Sequence, residues 1–464
     1  MPFWNKFLFT RLLLLSFLIA WVWPVAAQSV QDRPPGAANT AAAAEFTAAA
    51  DQVLKKMSEI TGLEQKAPVK KTLRSREEIR AYVIREMNDE RNPAERYAEK
   101  RSAEAFGLLP KNFDLDSFMV DLLTEQIAGL YDPRAGEFYI ADWIPLEDQR
   151  MVMAHELTHA LQDQHFKIAD WVKAARPDDD AESARQAVLE GSAMAAMLDY
   201  ELREKGLTLN DLPEIDPSFM VGDLNSSPAL KNAPPFIKDA LLFPYFGGMT
   251  FSNSLLKVGG WSSVSRVFTK PPASTQQILH PELYNSGKAP APIVIPSAKP
   301  AADGWIKLED NVMGEFGWKE VLKQFLDEAR ATPLAAGWEG DRYVLFERKT
   351  DKKLILITRL KLANAEFTGR FFGQYSEALE TKYGQRSNLF RRPAYFSFDT
   401  PEGGVFLRCA ETECVTLEGG DQALFLKLNK ELGWGPIPEQ PKEILAPGVK
   451  GTSHDAVSEV FASF

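Results

Sequence analysis

Hydrophobic positions recur with a helical period over most of the first 290 residues. This period predicts helices over about 44–60, 116–128, 147–165 and 181–204, and one near 255–268 that Gly259-Gly260 interrupts. Ser75-Arg76-Glu77-Glu78 has the form of a capping box, so another helix is expected to begin there. Short β-branched or aromatic runs predict strands at 69–73 and 138–140. Residues 205–240 are punctuated by Pro and Asn and are expected to be irregular.

The pattern changes after a Pro- and Ala-rich segment at residues 289–302, which we interpret as a linker. Beyond it, strands are predicted near 343–346, 354–357, 395–398, 405–407 and 415–417, with helices over about 365–379 and from about 421. The aromatic residues of the first of these helices are interpreted as core. The predicted organisation is an N-terminal segment with one helix (28–64), a mainly helical domain with a small sheet (65–288), the linker, and a C-terminal α+β domain (303–464). The predicted fold class is therefore α+β.

The N-terminus has the three parts of a signal peptide. Lys6 and Arg11 supply positive charge, residues 12–23 form an apolar run, and Val25-Ala26-Ala27 offers small residues for cleavage. The run is shorter than the roughly 20 residues that a membrane span requires. We therefore expect residues 1–27 to be removed and the protein to be exported, periplasmic or extracellular, without a stable membrane span. The alternative is an uncleaved N-terminal anchor.

The charge of the chain argues against a nucleic-acid partner, and its cysteines indicate a disulfide. The chain has 53 basic and 64 acidic residues, a net charge of -11, and no basic block of the kind that nucleic-acid binding requires. Its only cysteines, Cys409 and Cys414, flank four residues that resemble a tight hairpin. In an oxidising compartment such a pair favours a local disulfide over a metal site.

The chemistry is concentrated in His155-Glu156-Leu157-Thr158-His159. Two histidines four residues apart lie on one face of a helix, so both rings can reach one ion. Zinc takes such ligands and keeps a position for water in catalytic sites. Glu156 lies beside the ligands and is the candidate general base for that water. The pattern therefore predicts a zinc site (Zn2+) in a predicted helix, and zinc would be the cofactor.

Two residues compete for the place of third ligand. Glu190 lies in the next predicted helix among apolar residues, where a carboxylate is costly unless it is paired with a cation. His165 follows His155 by ten residues, the spacing of the third metzincin histidine. However, Gln162 stands where that family has a helix-breaking glycine, and a continuing helix would turn His165 about 240° from the ligand face. The geometry favours Glu190.

With Glu190-Gly191-Ser192-Ala193, the five-residue motif resembles that of gluzincin-type zinc peptidases. Residues from about 69 to 200 also resemble a group of exported bacterial metallopeptidases with no assigned substrate. This resemblance implies a zincin-like subdomain with His155, His159 and Glu190 as zinc ligands and Glu156 as general base. It also implies that residues 138–140 form the edge strand on which zincins lay the substrate backbone. The resemblance does not extend to the C-terminal domain.

Peptide hydrolysis also requires a group that stabilises the developing oxyanion. His280 is the first candidate and Tyr245 the second, whereas His454 lies in a polar tail and is interpreted as incidental. The expected substrate is a peptide or protein of unspecified sequence. The alternative function is a zinc-stabilised cell-envelope binding protein without catalysis. A further hypothesis makes the C-terminal domain a module that recognises cell-wall material or a protein partner.

Overall fold

The computed structural model describes residues 38–90, 92–212, 228–296, 300 and 304–438. The predicted signal peptide and His454 lie outside the described residues. The described residues form an α+β fold, which confirms the predicted class. Among them, no helix has both the length and the apolar character needed to cross a membrane.

The elements before residue 288 are mainly helical. The helices are α1 (Ala38–Thr61), α2 (Arg76–Glu90), α3 (Pro93–Phe106), α4 (Leu115–Gln126), α5 (Leu146–Phe166), α6 (Ile168–Lys173), α7 (Asp179–Glu204), α8 (Pro228–Asn232), α9 (Pro235–Val267), α10 (Thr275–Leu279) and α11 (Pro281–Ser286). The strands are β1 (Lys70–Arg74), β2 (Gly129–Asp132) and β3 (Glu137–Ala141).

The elements after residue 304 alternate between strands and helices. They are β4 (Trp305–Asn311), α12 (Gly314–Lys323), α13 (Glu328–Ala335), β5 (Trp338–Arg348), β6 (Leu354–Leu362), α14 (Ala365–Lys382), β7 (Ser387–Arg392), β8 (Tyr395–Thr400), β9 (Gly403–Ala410), β10 (Glu413–Gly420) and α15 (Gln422–Glu431).

Local sequence signals explain several helix boundaries. The Ser75 backbone N–H donates to the Glu78 carboxylate (2.9 Å) and the Glu78 N–H donates to Ser75 Oγ (3.3 Å), so the predicted capping box is confirmed. Asp178 caps α7 by accepting a hydrogen bond from the Ala181 N–H (3.0 Å). The interruption at Gly259-Gly260 is also confirmed, because both residues have non-helical backbone angles. However, α9 already begins at Pro235, so the segment expected to be irregular ends earlier than predicted.

The small sheet has the strand order β1-β3-β2. β3 pairs in parallel with β1 on one side and antiparallel with β2 on the other. The prediction that residues 138–140 form an edge strand is therefore wrong, because β3 is the central strand and its backbone groups are used on both sides. The outer strand that approaches α5 is β2.

The large sheet has the order β4-β5-β6-β10-β9-β8-β7 and is antiparallel throughout. Residues on one face join the main hydrophobic core, and α15 covers the other face around Phe425. The predicted disulfide is present: Cys409 and Cys414 are directly opposite each other on β9 and β10, with Cα atoms 4.0 Å apart.

The two predicted domains share one core. The Phe106 ring of α3 lies edge-on to Tyr343 of β5, with ring centroids 5.1 Å apart, and also packs edge-on against Trp318 of α12. The described part of the predicted linker is hydrogen-bonded to the large sheet. The Ala291 N–H donates to the Glu339 carbonyl (2.7 Å), and Arg359 donates to the Val294 carbonyl (2.7 Å). The change of pattern at residues 289–302 marks a change of architecture within a continuous core.

The first helix belongs to that core as well. α1 packs along α5, and the Phe46 ring approaches the Phe138 ring of the central strand at 5.9 Å. Lys71 of β1 forms an ion pair with Asp51 of α1 (2.8 Å). Because one face of α1 is buried against α5, residues 38–61 form part of the helical domain's structure.

Candidate metal centre

The side chains of His155, His159 and Glu190 converge between α5 and α7. The Nε2 atoms of the two histidines are 3.1 Å apart. Glu190 Oε2 lies 3.1 Å from His155 Nε2 and 3.4 Å from His159 Nε2. The three side chains thus point one ligand atom each at a common point and could hold a metal ion. The predicted rival His165 is directed elsewhere, since its Nε2 contacts the Glu64 carbonyl at 2.8 Å.

Burial makes it costly to place charge on these three side chains. The relative exposure is 0% for His155, 4% for His159 and 2% for Glu190. Burial lowers the pKa of His155. For His159 the Glu190 carboxylate outweighs burial and raises the pKa to about 9. Burial opposes ionisation of Glu190, but His159 and His155 together lower its pKa to about 2. The cluster therefore attracts positive charge, supplied by a proton on His159 or by a cation in its place.

Glu156 follows His155 on α5 and points toward β2. Its Oε2 accepts a hydrogen bond from the Tyr131 backbone N–H at 2.8 Å, and its side chain is fully buried. Gly129 makes this approach possible, because a Cβ at that position would lie 2.6 Å from Val152 Cγ1 of α5. The strand backbone thus orients the predicted base beside the ligands.

A chain of hydrogen bonds ties His159 to α7. His159 Nδ1 lies 3.0 Å from Gln162 Oε1, and Gln162 Nε2 donates to Ser192 Oγ at 2.8 Å. Ser192 Oγ donates in turn to the Leu189 carbonyl (3.1 Å), one residue before Glu190. An acceptor at Nδ1 places the proton there and leaves Nε2 able to bind a cation. From the sequence, Gln162 was notable only because it stands where metzincins have a glycine. Its orienting contact with His159 was not predicted.

α7 and α9 cross at very close range beside the ligands. A Cβ on Gly191 would lie 1.8 Å from the Gly248 carbonyl carbon, and a Cβ on Gly248 would lie 1.8 Å from the Ala187 oxygen. This contact brings Tyr245, one turn before Gly248, close to the candidate ligand His155. Its buried ring lies 6.2 Å from the His155 ring. Glycine content alone did not reveal this crossing, because it depends on two helices far apart in sequence.

The two candidate oxyanion stabilisers have different surroundings. His280 follows α10, and its Nε2 lies 2.8 Å from Glu315 Oε1 of α12. That hydrogen bond raises the pKa of His280, with burial opposing. Tyr245 is the candidate whose ring the structure places beside His155. We therefore favour Tyr245 as the candidate oxyanion donor, and the role of His280 stays a prediction.

Comparison with known proteins adds one match. Residues 306–423 match a family described as a domain of unknown function (DUF8575), a region that runs from β4 to the start of α15. No curated protein and no solved structure matches the chain. The matched region covers the large sheet, whereas the metal centre lies outside it.

Proposed function

We propose that this protein is a zinc-dependent peptidase that acts outside the cytoplasm. The observation that carries the proposal is the convergence of His155, His159 and Glu190, with Glu156 held beside them. Tetrahedral zinc with bonds of about 2.0–2.1 Å separates neighbouring ligand atoms by about 3.3 Å. The distances of 3.1, 3.1 and 3.4 Å between the three ligand atoms fit that requirement.

Two histidines and one carboxylate would hold the ion, and the position that zinc keeps open would take water. Bound zinc supplies a water of lowered pKa and polarises the substrate carbonyl. Glu156 would act as the general base, accepting a proton from the attacking water and delivering it to the leaving amine. The Tyr131 N–H donates to Glu156 Oε2 at 2.8 Å and so orients the carboxylate. The Tyr245 hydroxyl is the proposed donor to the developing oxyanion.

The outer edge of β2 is the proposed position of the substrate backbone. The Ala141 N–H of β3 donates to the Ala128 carbonyl (2.9 Å), so the antiparallel alternation turns the backbone groups of residues 130 and 132 toward β3 and those of residues 129 and 131 outward. The Tyr131 N–H already points at Glu156. Because Glu156 occupies the Tyr131 N–H, a peptide would pair with the remaining outward groups of this edge, which would bring its scissile bond to the predicted base.

One observation favours the alternative, a metal site that only stabilises the fold. His155, Glu156, His159 and Glu190 are each 0–4% exposed, and structural zinc sites are closed. Such sites usually have four protein ligands, however, and here three residues form the candidate group within the described part of the chain.

Replacing Glu156 with Gln separates the two functions. The variant should bind one zinc as the wild type does, while cleavage of a random peptide library falls by about 10²–10⁴-fold. Glu77→Gln on the exposed first turn of α2 is the matched control and should leave both properties unchanged. A wild-type protein that binds zinc tightly but cleaves no peptide would support the structural role. A Glu156→Gln variant that is fully active would refute the proposed mechanism.

A further inference from the structure

A cavity of about 500 Å³ lies between α3 and the large sheet. One wall comes from α3 and the segment after it, and the opposite wall comes from the β5–β6 turn, the start of β6 and the end of β10. Small-molecule sites usually have volumes of about 300–1,000 Å³ and often lie where two structural units meet. Among the residues that the structure describes, none from α5, α7 or α9 lines this cavity, so it is separate from the candidate metal centre.

Part of the lining is apolar. It is formed by Ala105, Leu109, Phe325, Leu354 and Leu356. Ala105, Phe325 and Leu354 are half-buried, so they present apolar surface to the cavity. These side chains favour a ligand that has an apolar body.

The inner carboxylates of the lining are already paired. Glu418 accepts hydrogen bonds from Lys382 Nζ (2.6 Å) and from the Tyr383 hydroxyl (2.9 Å). Glu104 accepts one from Arg101. A cationic ligand would therefore have to displace a cation that the protein already supplies.

The inner cations, in contrast, have hydrogen-bond donors left. An ammonium group has three N–H donors and a guanidinium has five. Lys382 uses two, toward Glu418 and the Ala105 carbonyl, and Arg101 uses three, toward two carboxylates and one backbone carbonyl. Their side chains line the cavity and are 11% and 17% exposed. Because Arg101 and Ala105 lie one turn apart on α3, the two cationic groups approach the same side of the cavity.

The outer part of the lining adds a further positive charge. Its exposed carboxylates, Asp351 and Glu402, form ion pairs with Arg348 and Lys111. Lys353 also lines the cavity and is exposed, and within the described part of the chain its ammonium group forms no ion pair. A ligand that enters here meets unused cationic donors but no unpaired carboxylate.

We propose that this cavity binds a small organic anion, a molecule with an apolar body and a carboxylate or phosphate group. The anionic group would accept the remaining N–H groups of Lys382 and Arg101. The apolar body would lie against Leu354 and Phe325, and Lys353 would attract the ligand at the entrance. This binding site goes beyond the proposed peptidase function.

The first test compares ligands that share one apolar body. Full-length protein is titrated calorimetrically with 4-phenylbutyrate, 4-phenylbutyl phosphate and 4-phenylbutylamine. At least one of the two anions should bind about tenfold or more tightly than the amine, because hydrogen bonds from cationic donors to an anion are strong and an amine cannot accept them in its charged form. The tighter of the two anions shows whether the natural ligand is a carboxylate or a phosphate.

Two variants then locate the binding. Lys353→Glu reverses the unpaired charge and should weaken anion binding by about fivefold or more. Lys349→Glu is the matched control, because Lys349 is exposed just before the same turn but does not line the cavity, and it should leave binding unchanged. Ala105→Phe places a ring in the cavity and should prevent binding, with thermal unfolding used to verify that the variant is folded.

Three results would overturn the inference: no binding of either anion at millimolar concentration, binding of the amine as tight as that of the anions, or unchanged anion binding in folded Ala105→Phe protein. If Ala105→Phe does not fold, equal anion affinities of Lys353→Glu and Lys349→Glu protein would overturn it instead. These titrations require neither zinc nor cleavage, so their outcome is independent of the proposed peptidase.

Discussion

The contact between α7 and α9 is the most sensitive structural feature of the proposed site, and replacing Gly191 with Ala tests it directly. Gly191 follows the ligand Glu190, and the added Cβ would lie 1.8 Å from the Gly248 carbonyl carbon and 2.2 Å from its oxygen. These are backbone atoms, so no flexible side chain can rotate away. The helices must separate or rotate.

The distances set the size of the effect. Carbon atoms in contact lie about 3.5–4.0 Å apart, so the helices would need to move apart by about 2 Å. Overpacking of this kind costs about 3 kcal/mol at the upper end of its usual range, and alanine's better helix propensity returns about 1 kcal/mol. The net loss of unfolding free energy should be about 2 kcal/mol. If α7 moves, the 3.1 Å separation of Glu190 from His155 opens toward 5 Å, far beyond the few tenths of an ångström that a metal site tolerates.

If α9 moves instead, Glu190 stays in place but Tyr245 withdraws from His155. Denaturant unfolding measures the loss of stability. Zinc affinity, measured by competition with a chromophoric chelator, should fall if α7 moves, whereas peptidase activity should fall with zinc still bound if α9 moves. Gly369→Ala on α14 is the matched control, because its Cβ would meet no atom within 4 Å and should stabilise the protein by up to about 1 kcal/mol. A Gly191→Ala variant with unchanged stability, zinc affinity and activity would refute the close-crossing argument.

Four further predictions concern the surroundings of the site and the disulfide. Gln162→Ala should weaken zinc affinity by about 10–100-fold in chelator competition, because His159 loses its orienting partner; unchanged affinity would contradict this. With the His159 pKa raised to about 9 in the metal-free protein, zinc must displace a proton below that pH, so affinity should fall about tenfold per unit as the pH decreases and proton release should be measurable in weak buffer. Tyr245→Phe should lower kcat by about 10²–10³-fold while zinc stays bound, and full activity would exclude the hydroxyl as oxyanion donor. Replacing Cys409 and Cys414 by Ala should lower the unfolding free energy by about 2 kcal/mol, since the bond closes a loop of only five-residue separation, without changing zinc content.

Features encoded over short stretches of sequence could be predicted. The helical period placed α5 and α7 within a few residues of their observed bounds. The i, i+4 spacing put His155 and His159 on one face, and the cost of an unpaired carboxylate among apolar neighbours selected Glu190. These inferences depend only on the spacing of residues within one or two helical turns and on the cost of burying an unpaired charge.

Features that depend on long-range pairing could not. The position of β3 at the centre of its sheet depends on β1, more than sixty residues earlier in the chain. A strand pattern shows which residues alternate but not which strands pair, so β2 was not predicted, and the family resemblance placed residues 138–140 at the edge. Likewise, the Pro- and Ala-rich segment at residues 289–302 suggested two separate domains. The sequence shows that Phe106 and Tyr343 are apolar, but it does not show that these residues, on either side of the segment, pack against each other.

Three consecutive residues of α7 explain why the candidate metal centre is arranged as it is. Glu190 points to the two histidines of α5, Gly191 allows α9 to approach, and Ser192 accepts the hydrogen bond from Gln162. The position of the carboxylate is thus set by contacts with two other helices and not by α7 alone. A metal ion would strengthen this arrangement by replacing the proton that the Glu190 charge otherwise holds on His159. Because the same crossing also positions Tyr245, the ligand geometry and the proposed oxyanion donor depend on one packing contact, and a substitution that weakens it should impair both.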